Sequence, residues 1–157
     1  MPWYSILFYA LLFGGLGYAL IRGGAPERLF ALMCVAGFVA TLLVETPQPH
    51  AFRHVEFGIF FVDLAMFCAL FVLSVFSTRF WPIWMTAMQG LTVLAHVMAL
   101  MPEPSPFGYQ AMEEFWSYLQ LMLLIVATWR HRQRLVRNGT DPSWTTSFAR
   151  SVPPNRR

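Results

Sequence analysis

VEFGIFFVDLAMFCALFVLSVF, residues 55–76, decides the fold class. From Phe57 onward the stretch holds one formally charged residue, Asp63, and no proline. A helix rises about 1.5 Å per residue, so roughly 20 apolar residues cross the hydrocarbon core of a bilayer. The stretch predicts a transmembrane helix. Four further apolar blocks lie outward from it, at 3–21, 26–44, 80–101 and 112–130. The first and fourth have full spanning length. The second and fifth reach it with their flanking residues.

Composition agrees with this patterning. The chain of 157 residues is 57% hydrophobic and 12% charged, against about 25% charged in a soluble domain. It reads as an all-α membrane protein, a bundle of five transmembrane helices over 1–137. A disordered, basic tail rich in Ser, Thr and Pro follows over 138–157. The start, Met1-Pro2-Trp3-Tyr4, has neither a basic stretch nor a small-residue cleavage site behind it, so the first span is expected to be retained.

Arginine placement orients the bundle. Lysine is absent. With five alternating spans, Arg22, Arg28, Arg79 and the seven arginines after the last span share one side. The other side holds Arg53 together with Glu45, Glu56, Glu103, Glu113 and Glu114. The positive-inside rule then puts the amino terminus outside and the carboxyl terminus in the cytoplasm. Arg130, Arg132, Arg134 and Arg137 form a cytoplasmic basic anchor suited to anionic headgroups. The arginines form no groove-reading pattern, which argues against nucleic acid despite a pI near 9.2.

Local signals fit these limits. Pro26-Glu27 suits a helix start, and Glu113 with Glu114 suits the start of the fifth span. Asn138-Gly139 is expected to stop that helix. Trp3, Tyr4, Tyr109 and Trp116 fall at the outer boundary, and Trp81, Trp84 and Trp129 at the inner one, as in an aromatic belt. Around Ala25-Pro-Glu-Arg-Leu29, Arg79-Phe-Trp-Pro-Ile-Trp84, Phe115-Trp-Ser-Tyr118 and Trp129-Arg-His-Arg-Gln-Arg134, the chain resembles a set of short bacterial multi-span proteins with no assigned activity. The resemblance covers most of the membrane part. It implies a bacterial inner-membrane location and nothing about chemistry.

Ionisable and amide groups inside spans are costly and therefore informative. Asp63, His96 and Gln120 fall on three different spans, each roughly 7–10 Å below the outer boundary by helical rise. Gln89 shares a face with His96, and Glu113 shares one with Gln120. The five form a candidate buried polar cluster. The simpler reading is a hydrogen-bonded layer that holds helices in register. The sharper one is an outward-facing site for a proton, a metal or a small solute, with Asp63 and His96 at its centre. A second, weaker candidate is a metal site at His50, His54 and Glu56, since histidines four apart share a helix face. Pro47 and Pro49 leave that helix uncertain, and solvated loop histidines are the simpler reading. A haem pair at His54 and His96 has no supporting motif.

Cys34 and Cys68 lack metal or disulfide spacing and read as buried hydrophobes. No nucleophile elbow, phosphate loop or zinc-protease motif occurs. No cofactor is expected. The expected role is that of a non-enzymatic structural or accessory subunit, with the lipid bilayer and other membrane proteins, or a second copy, as partners. A binding or transport protein using Asp63 and His96 is the alternative.

Overall fold

The computed structural model describes residues 3–44, 57–98 and 106–145, and side chains within 6–44, 57–98 and 115–145. The fold is all-helical. Five helices follow one another: α1 (Trp3–Arg22), α2 (Ala25–Val44), α3 (Phe57–Phe76), α4 (Trp81–Met98) and α5 (Pro106–Asn138). By length and composition α2 and α3 are apolar enough to cross a bilayer, and most of each lies on the surface rather than in a core.

The helices close into a ring. Each packs on its neighbour in sequence, and α5 packs back on α1. Successive neighbours run antiparallel: Gly58 faces Val44 while Gly37 faces Met66 between α2 and α3, and Asp63 meets His96 while Phe67 faces Gly90 between α3 and α4. An odd number of alternating helices leaves the closing pair parallel. Phe8 meets Tyr118 at 5.3 Å between ring centroids, and seven residues further along Gly15 faces Ile125. Every arginine among the described residues lies at one end of the ring, or on the last turns of α5 beyond it.

Tight connections fix that end. Gly23-Gly24 alone joins α1 to α2; the Gly23 amide donates to Ala19 O at 2.8 Å and the Arg28 amide to Gly24 O at 3.0 Å. Residues 77–80 join α3 to α4, with Ser77 Oγ accepting from the Arg79 amide at 3.0 Å. The α5 helix stops as its sequence predicts, with Gly139 at φ 72 and its amide on Leu135 O at 2.9 Å.

Two expectations change. The helix α5 begins at Pro106, not at 112, because proline suits a first helical turn. The tail is not disordered from residue 138: residues 139–145 fold back as a strap on the α3–α4 connection. Thr145 donates its amide to Phe76 O at 2.9 Å, and Thr78 donates its amide to Ser143 O at 3.2 Å. Backbone pairing to a loop leaves no trace in hydropathy, which is why the tail reads as free. Residues 146–157 lie outside the described residues.

The core contains Phe30, Leu70, Met85 and Leu124, all fully buried, with Leu16, Leu73 and Ala127 around them. Phe30 meets Trp81 edge to face at 5.8 Å. The outside is as apolar as the inside: Ile21, Leu43, Phe57, Phe61, Phe80 and Phe13 are 62–81% exposed.

Candidate functional site

Polar side chains occupy two layers within the bundle. The layer at the end away from the arginines is built from α3, α4 and α5. Gln89 Nε2 donates to Asp63 Oδ1 at 3.0 Å, and His96 Nε2 lies 2.8 Å from Asp63 Oδ2. Against the Asp63 carboxylate form, which only accepts, His96 donates from Nε2. The same reasoning orients Gln89: its amide nitrogen faces Asp63, leaving its oxygen to accept from Gln120 Nε2 at 3.1 Å. His96 is 1% exposed, with Phe60 edge-on to its ring at 5.9 Å. Helical spacing explains the alignment, since Gln89 and His96 are two turns apart on α4.

The structure thus brings Asp63, His96, Gln89 and Gln120 into one hydrogen-bonded chain. The fifth member, Glu113, lies on α5 where side chains are outside the described residues. His50, His54 and Glu56 lie outside the described residues altogether, and with them the haem pairing of His54 with His96. Thr41, Asp63, Gln89, Ser117 and Gln120 form the polar wall of a cavity of about 180 Å³. Phe8, Leu12, Phe30 and Phe38 help form its apolar wall.

The second layer, at the arginine end, has no counterpart in the sequence reading. Glu27 at the start of α2 is fully buried, and Trp81 Nε1 donates to its Oε1 at 3.0 Å. Arg79 is 5% exposed, with its Nε 4.0 Å from Glu27 Oε1, close enough for attraction but too long for a hydrogen bond. Gly24 makes room for the layer: a Cβ there would lie 2.9 Å from both Glu27 Oε2 and His131 Cε1.

Asp141, carried in by the strap, is the hub. Arg79 Nη1 donates to its Oδ1, and Arg134 Nε lies 3.1 Å and 3.0 Å from its two oxygens. His131 Nδ1 lies 2.7 Å from Asp141 Oδ2 and 3.1 Å from Arg79 Nη2. One nitrogen cannot both donate to Asp141 and accept from Arg79. The shorter, charge-assisted contact decides for Nδ1–H, and Arg79 Nη2 then donates to Asp141 O at 3.3 Å. Burial alone would raise the Asp141 carboxyl. Hydrogen bonds from Arg79, His131 and Arg134, with the Arg79 charge, outweigh it and hold the group at about 2. Of the basic anchor, Arg134 is thus tied to this hub, whereas Arg130 and Arg137 are exposed and Arg132 is half-buried.

The layers differ in satisfaction. Among the described residues Glu27 Oε2, Arg79 Nε and Thr128 Oγ1 are buried without a hydrogen-bond partner, whereas no atom of the Asp63 layer is. Along α5 about 12 Å separates Gln120 from Thr128, and Phe30, Leu70, Met85 and Leu124 fill the gap. Packed hydrocarbon therefore separates the polar layers, and the buried Thr86 between them on α4 donates its hydroxyl to Pro82 O of its own helix at 2.8 Å. No family model, no curated protein and no solved structure matches the chain.

Proposed function

We propose that the chain is a five-span protein of the bacterial inner membrane, amino terminus outside and carboxyl terminus cytoplasmic, acting without catalytic chemistry through contacts with other membrane proteins. The observation that carries this reading is the inverted surface. Large apolar side chains face outward around the ring while carboxylates meet guanidinium and imidazole groups inside it. In water such a surface would aggregate; in lipid it is the expected exterior. The gathering of the described arginines at one end supports the orientation.

The apolar layer between the polar layers favours a scaffold over a conduit. So does the satisfied state of the Asp63 layer, which suits a fixed helix clamp. A groove of about 430 Å³ between α2 and α3 supports lateral contact. Ala36, Gly37, Ala40, Gly58, Ala65 and Ala69 line it, and small residues let a partner helix come close. A photo-crosslinking residue at position 65, in intact membranes, should give one discrete protein adduct that Ala36→Leu abolishes. Adducts to lipid alone would overturn the contact reading. A reporter fused after Arg157 checks the topology separately, with a cytoplasmic signal expected.

The cavity beside Asp63 favours a second reading, a binding protein for a small polar solute. It requires a ligand that native mass spectrometry detects and that Asp63→Asn removes.

A further inference from the structure

A cleft of about 590 Å³ opens at the arginine end between the start of α4 and the last turns of α5. Its two halves differ in chemistry. Trp84, Leu123, Val126 and Ala127 make an apolar wall, and Arg79, Arg130 and Arg134 face a single carboxylate, Asp141. Asp141 engages two of these arginines and thereby fixes where their guanidiniums sit. With Glu27 attracting Arg79 from behind at 4.0 Å, two carboxylates meet three arginines and leave one guanidinium in excess. Arg134 meets Asp141 through Nε, and no hydrogen bond among the described residues uses its terminal nitrogens. Arg130 is exposed and makes no hydrogen bond or ion pair among the described residues.

A cationic rim of guanidiniums recognises phosphate oxygens. An apolar wall directly beside it is of no use to a free phosphate, but it fits the first part of an acyl chain. Trp84, 55% exposed, presents the flat amphipathic surface that sits at headgroup depth. We infer that this cleft binds one anionic phospholipid, its phosphodiester between Arg130 and Arg134 and an acyl chain along Trp84, Leu123 and Val126. The inference rests on the membrane reading above, which puts this end at the cytoplasmic leaflet, where anionic lipid is found.

The test uses the full chain in nanodiscs of phosphatidylcholine containing phosphatidylglycerol, with the lipids that remain bound after gentle extraction counted by native mass spectrometry. One phosphatidylglycerol per chain should be retained in preference to phosphatidylcholine. Arg130→Ala should lower that preference about fivefold, the effect of one arginine at the surface, and leave the fold intact, since Arg130 is exposed and makes no hydrogen bond or ion pair among the described residues. Arg28→Ala, exposed at the same end but outside the cleft, should leave it unchanged. Trp84→Ala should weaken retention of the lipid, and inorganic phosphate should not compete. Equal retention of both lipids, an equal effect of Arg28→Ala, or displacement by inorganic phosphate would each overturn the site. A chain that never enters the nanodisc removes the membrane reading and the site together. A chain that enters but shows no preference removes the site alone.

Discussion

Asp141 shows how much one side chain outside the helices can organise. Its carboxylate gathers Arg79, His131 and Arg134 from two separate elements, and its side chain is 7% exposed. Because the folded carboxyl is held at about 2, below the usual value near 3.9, it stabilises the fold fully above pH of about 4. That contribution fades as pH falls toward 2. At neutral pH it is worth on the order of 2 kcal/mol. Asp141→Asn should lower unfolding free energy by that amount at pH 7, and the gap to the native chain should close between pH of about 4 and 2. A gap that stays constant on acidification would show that the carboxylate is not held by its partners. Asp63 differs in being legible in advance. An acid inside an apolar helix demands a donor, and helical rise puts His96, Gln89 and Gln120 within its reach.

At the scale of elements, the α1–α2 connection is the least tolerant part of the arginine end. Two glycines complete the reversal, and the second leaves the space that Glu27 and His131 occupy. Gly24→Ala would drive a methyl group into both side chains, which are buried, and should cost about 1–3 kcal/mol. Gly14→Ala on the open face of α1 meets nothing within 4 Å and should be neutral or slightly stabilising through helix propensity. Thermal unfolding of the two variants side by side gives the comparison. If both behave alike, the layer is looser than its packing indicates. The strap belongs to this scale as well. Gly139 turns the chain out of α5, and backbone pairing with residues 76–78 then seats Asp141.

For the molecule as a whole, the ring closure between α1 and α5 is the distinguishing feature. These helices are farthest apart in sequence and run parallel. Gly15→Cys with Ile125→Cys, in a chain whose Cys34 and Cys68 are replaced by Ala, should form an internal cross-link on oxidation. An ideal Cβ at Gly15 lies 3.3 Å from Ile125. Failure to link would mean that the ring is open at this seam. The two separated polar layers also belong to this scale, since packed hydrocarbon between them suits a rigid scaffold better than a path for ions.

The sequence by itself determined the helices. Apolar blocks of spanning length, proline at helix starts and Asn138-Gly139 at the last stop are local signals, and local signals fix local structure. It also determined the Asp63 layer, because helical rise converts residue number into height and a lone acid calls for partners. Only the tertiary structure decided the closing of the ring, the cleft, and the hub of Glu27, Arg79, His131 and Asp141. Those residues lie at helix ends or in the tail, where polar side chains cost little in the solvent and carry no periodicity. In sequence Glu27 reads as a dipole partner, Arg79 as a topology signal and Asp141 as part of a tail. Their burial follows from the strap folding back, a contact between segments more than sixty residues apart that no pattern along the chain encodes.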